Sequence, residues 1–261
     1  VEDSISFPHS LGMLYQSITQ FLGFWNYGDE YKVMGMAAYG NPTYTNEIMK
    51  LIKLCDGGKF ELVPEYFNHP VEGVSMEFNG GYPVIGAVFS EKISSVLGPP
   101  RKKDEVISQK HKDIACSVQK VYEDALFHLL IYMNKLYPTQ INLCLAGGCA
   151  QNSLANGKIT TNTNFEKVWI QPAAGDAGGA LGAALTIANM HFNESRSVMV
   201  SPALGISYSN KEILDVLENT ELSMFNRVFI EDEDELTDSI AKLLVEGKVI
   251  GFFHGAFEWG P

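Results

Sequence analysis

The stretch that decides the fold is 141–190, which contains INLCLAGGCAQNSLANGK at 141–158 and PAAGDAGGALGAAL at 172–185. It opens with a short apolar run that ends at a glycine pair, a pattern typical of a buried strand. Residues 168–170 predict a second strand. Each of these strands is followed by a glycine turn and then by a helix. The repeated order of strand, glycine turn and helix predicts an α/β fold.

The two glycine turns predict a ligand site at the ends of neighbouring strands. At Gly147, Gly148, Gly175 and Gly178 a ligand can approach the backbone, because no Cβ stands in the way. Each turn opens a helix whose free N–H groups favour an anion. Asp176 precedes the second helix, where it could cap the helix or hold a cation beside the anion. For either turn alone, a plain tight turn is the alternative, and the two together favour a ligand site.

The composition is that of a globular protein. Of its 261 residues, 46% are hydrophobic and 19% are charged, which is ample material for a core. The 31 acidic residues outnumber the 19 basic ones and give a net charge of −12. This balance disfavours a broad contact with a nucleic-acid backbone. The sequence has no run of 18 apolar residues and no secretory signal, so we expect no membrane span.

The cysteines predict a reducing compartment. Cys55, Cys116, Cys144 and Cys149 form no close CxxC pair. We therefore expect neither a disulfide framework nor a structural zinc, and we expect a cytoplasmic location. Cys149 follows the first glycine turn, where a helix start could lower the pKa of its thiol. Because no histidine lies near it in sequence, packing is favoured over a nucleophilic role.

A second segment with polar chemistry runs from Gly28 to Gly40 and reads GDEYKVMGMAAYG. Lys32 could meet a phosphate as a point charge. Asp29 or Glu30 could accept hydrogen bonds from ribose hydroxyls. The alternative is a helix that begins with acidic residues and carries a solvated lysine. Taken alone, the segment favours this alternative.

Hydrophobic periodicity predicts the other elements of the first part of the chain. Helices are expected at 9–23, 46–56 and 104–136, where apolar residues recur at helical spacing. An edge strand is expected at 59–67, because Pro64 keeps it away from the centre of a sheet.

Residues 68–100 are rich in glycine and proline and only weakly periodic. They predict an excursion over the surface, either a lid or an insert that shapes the substrate site. The histidines are expected to be structural rather than metal-binding. We expect His9 at a helix entry, His69 in a loop, and His111 and His128 at the surface or core edge of a helix.

A domain boundary is expected near residues 193–205, which are polar and interrupted by proline. Beyond it, a capping-box pattern predicts a helix at 213–217, and an acidic run predicts the first turn of a helix at 234–246. A strand is expected at 248–253. Because the chain stops abruptly after this strand and eight further residues, we expect it to be a piece of a longer protein.

Four segments together resemble the O-carbamoyltransferases, the enzymes that carbamoylate hydroxyls in nodulation-factor and antibiotic biosynthesis. The segments come in the order of that family and span nearly the whole chain, which makes them far more specific together than singly. They are GDEYKVMGMAAYG at 28–40, GGCAQNSLANGKI at 147–159, PAAGDAGGALGAAL at 172–185 and GKVIGFFHGAFEWGP at 247–261.

The resemblance implies a fold and an activity. Residues 1–195 would form an actin-like domain of the actin, hexokinase and chaperone ATPase type, a ribonuclease H-like fold, here without its N-terminal part. Residues 200–261 would begin a C-terminal α/β domain. In the family, a second domain makes carbamoyl adenylate from carbamoyl phosphate and ATP. The actin-like domain would pass the carbamoyl group to a hydroxyl acceptor beside an iron-type metal, with magnesium accompanying ATP.

The resemblance also implies roles for particular residues, although it assigns none to catalysis itself. Asp176 matches an aspartate ligand of the metal. The other matched positions belong to the nucleotide loop, to the second glycine turn, or to the segment that faces the same ligand. The nucleotide-binding residues implied in this way are Glu30, Lys32, Gly147, Gly148, Asn152, Gly175 and Gly178.

Three departures from the family pattern lead us to expect that this fragment is inactive. In the family, two histidines of an HxxxH-type helix complete the metal site. They would lie upstream of Val1, and this sequence contains no such pair. The last family motif continues past Pro261 with arginine-rich sequence. Ala256 stands where the family usually has arginine.

Two alternative functions stay open. One is a non-catalytic actin-fold module whose nucleotide is regulatory. The other is a relative of the tRNA threonylcarbamoyl-transfer protein, which the net charge of −12 disfavours. The expected partners are carbamoyl phosphate, ATP and a hydroxyl acceptor, without nucleic acid or membrane, and a homodimer stays open.

Overall fold

The computed structural model describes residues 3–80, 82–192, 195, 198–203, 205–219, 228–248 and 250. The chain divides into two units, Val1–Ala180 and Leu181–Pro261. The predicted domains at 1–195 and 200–261 stay a prediction, as does the actin-like fold. Most of the fourth motif, from residue 251 onward, lies outside the described residues.

Helices dominate the described part of the chain, and its strands form three two-stranded sheets. The helices are α1 (Leu11–Phe21), α2 (Glu30–Ala37), α3 (Thr45–Ile48), α4 (His69–Glu72), α5 (Ile93–Leu97), α6 (Gln109–Leu136), α7 (Ser153–Asn156), α8 (Ile159–Asn162), α9 (Gly178–His191), α10 (Asn210–Glu218) and α11 (Glu233–Val245). The strands are β1 (Ile52–Leu54), β2 (Phe60–Leu62), β3 (Met76–Asn79), β4 (Tyr82–Ile85), β5 (Asn142–Leu145) and β6 (Lys167–Ile170). The mixed α/β class is confirmed.

Helices α1 and α6 form the centre of the core of the first unit. Ser10 caps α1 by accepting a hydrogen bond from the N–H of Met13, and Gly23, with a φ of +82°, follows its end. Both helices bury apolar residues spaced three and four apart, which confirms the helices predicted at 9–23 and 104–136. Each large side chain among them contributes about 1.5–3 kcal/mol by leaving water. The buried residues include Leu14, Ile18 and Phe21 on α1 and Ile114, Val118, Val121 and Ala125 on α6.

The turn after α2 docks closely on α6. The N–H of Asn41 donates to Oδ1 of Asp113 over 2.8 Å. A Cβ on Gly40 would lie 2.0 Å from the carbonyl oxygen of Lys112. Only glycine therefore fits at this crossing without moving one of the two helices.

The helix predicted at 46–56 is wrong over its second half. Helix α3 ends at Ile48, and after a short 3₁₀ segment β1 pairs antiparallel with β2. The hairpin turns through Gly57 and Gly58, whose φ values of +73° and +71° favour glycine. The apolar spacing of this stretch fits a strand as well as a helix, and the glycine turn decides for the strand. Strand β2 confirms the edge strand predicted at 59–67 over part of its length.

Residues 68–100 are not only a surface excursion. Strands β3 and β4 form a largely exposed hairpin, but the chain after it enters the core. The side chain of Gln20 holds this part by accepting from the N–H of Val88 over 2.8 Å and donating to the carbonyl of Gly86 over 3.0 Å. A role in shaping the substrate site stays a prediction. The buried residues of this part are Ile85, Val88, Ile93 and Leu97.

His69 does not lie in an open loop, and this prediction is wrong. The residue is 1% exposed and lies edge-on to the rings of Phe7 and Phe67. Its Nε2 lies 2.9 Å from the carbonyl oxygen of Pro8. The physical role is nevertheless structural, as it is for His111, which belongs to the capping box of α6.

Strands β5 and β6 lie side by side and parallel, in a register that runs from Asn142 opposite Lys167 to Leu145 opposite Ile170. Both strands predicted from the central stretch are confirmed. Because parallel strands end at the same edge of a sheet, the two glycine turns that follow them lie next to each other. A cluster of buried residues packs around this pair and consists of Leu130, Leu143, Ile159 and Phe165.

The second unit contains α10 and α11. Helix α10 begins at Asn210, earlier than the predicted 213–217, after a capping box of Ser209 and Glu212. Helix α11 confirms the second predicted helix. The strand predicted at 248–253 lies mostly outside the described residues. Within the described ranges, the helices lack the length and apolarity needed to cross a membrane.

We expect Gly40→Ala to lower the free energy of unfolding by about 1–3 kcal/mol, because the added methyl group overlaps the Lys112 carbonyl. The matched control is Gly35→Ala on α2, where a Cβ meets nothing within 4 Å. Alanine there should stabilise the protein by about 0.5–1 kcal/mol, since glycine is a poor helix former. Urea denaturation followed by circular dichroism measures both differences. Equal stabilities of the two variants would contradict the close approach.

Candidate functional site

The two glycine turns contact each other, as the sequence predicted. We call residues 146–152 the first glycine loop and residues 172–178 the second glycine loop. The N–H of Gly147 donates to the carbonyl oxygen of Ala174 over 2.7 Å. From the other side, Nε2 of Gln151 lies 3.3 Å from the position of a Cβ on Gly175. The loops therefore form one continuous surface at the ends of β5 and β6.

The glycines of these loops meet different requirements. Gly147 has a φ of +97°, and a Cβ on Gly178 would lie 2.3 Å from the carbonyl oxygen of Ala173. At these two positions, the local backbone itself requires glycine. A Cβ on Gly148 would meet nothing within 4 Å. Gly148 is therefore the position where a ligand can approach the backbone from open space.

Both loops carry backbone N–H groups that have no acceptor among the described residues. A run of such donors forms a concave surface of positive partial charge that suits an anion. The donors come from both loops. They belong to Gly148 and Cys149 in the first loop and to Gly175, Asp176 and Ala177 in the second.

Asn152 is held inside the protein by a reciprocal amide pair. Its Nδ2 donates to Oε1 of Gln119 over 2.9 Å, and Nε2 of Gln119 donates to its Oδ1 over 3.0 Å. The same Oδ1 accepts from the N–H of Ala155 over 3.0 Å and so caps α7. The side chain thus fixes the first glycine loop on α6. A direct contact of Asn152 with a nucleotide stays a prediction.

The amide pair belongs to a larger buried network. Nε2 of Gln119 also donates to Oε1 of Glu123 over 3.0 Å. The O–H of Tyr15 donates to Oε1 of Gln119 over 2.9 Å. Nζ of Lys158 donates to both oxygens of Glu123 over 2.7 and 2.8 Å. Glu123 is 5% exposed, so its charge needs this partner. The network links α1, α6 and the segment after the first glycine loop.

Lys32 is already paired within its own helix. Its Nζ lies 2.6 Å from Oδ1 of Asp29, whose side chain is buried, and this contact raises the pKa of Lys32. The ammonium also lies 5.7 Å from the ring centres of Phe24 and Tyr31. A phosphate contact through Lys32 stays a prediction, and it would have to compete with Asp29.

Glu30, at the start of α2, interacts electrostatically with the region of the first glycine loop. Burial raises the pKa of both Tyr15 and Cys149, and the charge of Glu30 adds to both shifts. Burial, followed by the charge of Asp29, raises the pKa of Glu30 itself. Helix α2 touches the same region through Met34, whose sulfur lies 3.7 Å from Oγ of Ser153. Helix α2 therefore lies next to the end of the first glycine loop, and a contact of Glu30 with a nucleotide stays a prediction.

Cys149 is exposed as a residue, but the pKa of its thiol is raised rather than lowered. Loss of water around its sulfur raises the pKa of the thiol, and the charge of Glu30 adds to the effect. A Cβ on Gly12 would lie 3.6 Å from this sulfur. The carbonyl oxygen of Cys149 accepts from the O–H of Tyr122 over 2.7 Å. The residue therefore packs the first glycine loop against α1 and α6.

Asp176 is exposed in the second glycine loop. Its carbonyl oxygen accepts from the N–H of Gly179 at the start of α9 over 3.1 Å. Among the described residues, no three histidine, cysteine, aspartate or glutamate side chains come together as metal ligands. Asp176 thus offers a single carboxylate, which does not form a metal site by itself.

Sequence reasoning missed the residues that hold the first glycine loop. Gln119 and Glu123 are spaced four apart on α6, on a face that otherwise buries apolar residues such as Val118 and Val121. Two polar residues on such a face are the signal that could have identified them, because buried polar groups need partners. Their partners lie far away in sequence and could not have been named.

We expect Gln119→Leu to lower the free energy of unfolding by about 3 kcal/mol, because it leaves Asn152 and Glu123 buried with lost partners. The matched control is Gln109→Leu, at an exposed position of the same helix, where only the solvent-exposed hydrogen bonds to Tyr39 and Asp113 are lost and the free energy should change by about 1 kcal/mol or less. Chemical denaturation measures the free energy of unfolding of both variants. The hydrogen-exchange rates of amides in the first glycine loop should rise only in the Gln119 variant. Unchanged exchange there would contradict the role of the network in holding the loop.

Curated proteins similar to this chain include nodulation proteins. Nodulation protein NolO of Bradyrhizobium diazoefficiens is 32% identical over 98% of this chain and 42% of its own length. Nodulation protein NolNO of Sinorhizobium fredii is 31% identical over 100% of this chain and 35% of its own length. An uncharacterized protein of Synechocystis is 38% identical over 98% of this chain and 40% of its own length. The chain spans less than half the length of these relatives.

A family model described as "Carbamoyltransferase N-terminus" matches residues 1–185. The matched part holds the first three of the four motifs, with both glycine loops and the segment around Glu30. It covers most of the chain and includes the whole candidate site. The chain therefore belongs to the carbamoyltransferase family, in the part described as its N-terminus.

Proposed function

We propose that the protein containing this chain transfers a carbamoyl group to a hydroxyl of a small molecule or sugar. The observation that carries the proposal is the family match over 1–185, which includes the whole candidate site. Two relatives are named as nodulation proteins. The enzymes that the four motifs resemble carbamoylate hydroxyls in nodulation-factor biosynthesis, which supports a hydroxyl acceptor.

The proposed reaction has two stages. Carbamoyl phosphate and water give phosphate and carbamate. A carbamate oxygen attacks the α-phosphorus of ATP, carbamoyl adenylate forms, and pyrophosphate leaves. In the second stage the acceptor hydroxyl attacks the carbamoyl carbon, the bond from that carbon to the AMP oxygen breaks, and the hydroxyl proton passes to solvent. Because AMP is a good leaving group, no covalent bond to the protein is needed. We assign the second stage to this chain.

We assign the surface where the two glycine loops meet to the adenylate. Its free N–H groups suit a phosphate, and the same kind of donor stabilises negative charge that develops on an attacked carbonyl oxygen. The open space at Gly148 allows the ligand to come close to these donors. Helix α2 lies next to the end of the first loop, and we assign the carboxylate of its Glu30 to accept from ribose hydroxyls.

The iron-type metal implied by the resemblance is not part of this mechanism. Such a metal would polarise the carbamoyl group as a Lewis acid. Among the described residues, no group of three possible ligands includes the exposed carboxylate of Asp176, so they do not fit a metal without further ligands. Asp176 stays the proposed contribution of this chain to that site.

Full-length protein given carbamoyl phosphate and ATP should release pyrophosphate, and AMP should follow when a suitable hydroxyl acceptor is added. Omission of carbamoyl phosphate is the control. We expect Gly148→Val to reduce AMP release at least tenfold with an unchanged thermal midpoint, since its side chain enters space where no protein atom lies within 4 Å. A protein that binds ATP but never releases pyrophosphate would contradict the proposal and favour a regulatory nucleotide module.

The affinity for AMP should depend on pH through Glu30. The pKa of this carboxyl group is raised by burial, so as the pH falls it is protonated earlier than an ordinary glutamate. The protonated group accepts less well from a ribose hydroxyl, and AMP binding should weaken on the acidic side of neutrality. Glu30→Gln should bind AMP with little dependence on pH in this range. Calorimetric titration of the full-length protein measures both, and equal pH profiles would contradict the contact.

A further inference from the structure

The side chain of Gln171 has an unusual environment. The residue directly follows β6 and precedes the second glycine loop. Its Nε2 and Oε1 are both buried, and neither has a hydrogen-bond partner among the described residues. The amides of Gln20 and Gln119 differ in this respect, because both of their polar atoms are bonded. Gln171 therefore lies at the candidate site with its full hydrogen-bonding capacity unused.

A buried amide without hydrogen-bond partners raises the free energy of the folded protein. Removing its donor and its acceptor from water without replacing the lost hydrogen bonds destabilises the folded protein. An apolar side chain of similar length, such as methionine, would avoid that penalty at the same position. At a ligand site, such an amide can gain its partners from the ligand.

The position of the amide relates it to both glycine loops. Oε1 of Gln171 lies 3.5 Å from the position of a Cβ on Gly178. The same loop meets the first glycine loop through the hydrogen bond from Gly147 to Ala174. Gln171 as a residue is only half-buried. A contact with a ligand above the loops requires the amide to turn by rotation of its side chain.

The chemistry of an amide restricts what it recognises. It offers one carbonyl acceptor and one NH₂ donor side by side. A phosphate carries only acceptors, which the free N–H groups of the loops already match. A carbamoyl group carries the same pair of functions as the amide and can bond with it reciprocally. The pair of Gln119 and Asn152 shows this geometry within the same protein, with distances of 2.9 and 3.0 Å.

We infer that Gln171 recognises the carbamoyl group of the substrate through such a reciprocal pair. Nε2 donates to the carbamoyl oxygen, and Oε1 accepts from the carbamoyl NH₂. The inference rests on the proposed function and adds a specificity-determining residue to it. An acetyl group in the same place offers no donor and leaves Oε1 unpaired. Gln171 therefore selects carbamoyl over acyl groups of similar size.

Two stable adenosine analogues test this inference. They are N-carbamoylsulfamoyl adenosine and N-acetylsulfamoyl adenosine, which differ only in an NH₂ group against a CH₃ group. In calorimetric titrations, full-length wild-type protein should bind the carbamoyl analogue about tenfold more tightly, the effect of one neutral hydrogen bond and one avoided unpaired acceptor. In Gln171→Met, the preference should disappear, because methionine can neither donate to the carbonyl oxygen that both analogues share nor accept from the NH₂ group that only the carbamoyl analogue carries.

Stability measurements and a matched variant separate this role from a structural one. The thermal midpoint of Gln171→Met should equal or exceed that of the wild type, because an unpaired amide is removed. Gln140→Met, at an exposed position, should keep the wild-type preference. Gln171→Glu keeps the shape and the acceptor but loses the donor, and it too should lose affinity for the carbamoyl analogue.

Four results would overturn the inference. Equal binding of the two analogues by the wild type, or an unchanged preference in Gln171→Met, would remove the specificity role while leaving the proposed function intact. Equal weakening of both analogues in Gln171→Met would assign Gln171 to the nucleotide instead. A wild-type protein that binds neither analogue would overturn the proposed function, and the assignment of Gln171 with it.

Discussion

The candidate site depends above all on the reciprocal amide pair between Gln119 and Asn152. An apolar contact tolerates small shifts, but this pair is satisfied only when each amide both donates and accepts. The neighbours of Gln119 decide which way its amide points, because Tyr15 donates to its oxygen and Glu123 accepts from its nitrogen. Asn152 must then present its own amide in the matching direction. In this way, the position of the first glycine loop is fixed from the core outward.

The elements that the sequence predicted well are those whose burial pattern repeats locally. Helices α1 and α6 bury one face each, and β5 and β6 follow from short apolar runs bounded by turns. The helix prediction for 46–56 failed because the apolar residues there fit the spacing of a helix and that of a strand. The pairing of β1 with β2 decided for the strand. The prediction of a surface excursion for residues 68–100 failed in part, because core contacts such as that of Val88 with Gln20 join residues far apart in sequence. Composition alone does not reveal such contacts.

The candidate site was predictable to a similar extent. Two glycine turns after two parallel strands must lie close together, and the hydrogen bond from Gly147 to Ala174 confirms this consequence. The pairing of Lys32 with Asp29 depends on side-chain geometry that the motif does not specify. Gln119 and Gln171 were missed for another reason. A single polar residue beside an apolar run looks like a surface position until the fold shows which face it occupies.

Charge explains why the site relies on glycine and backbone rather than on lysine and arginine. The chain has a net charge of −12. Two lysines, Lys32 on α2 and Lys158 after α7, are paired with Asp29 and Glu123. A bound anion is then held mainly by neutral N–H donors of the two loops. Such donors act over short distances and only when the ligand touches the backbone. Open space at Gly148 is therefore a requirement of the proposed binding mode, since a side chain there would keep the anion out of reach of its donors.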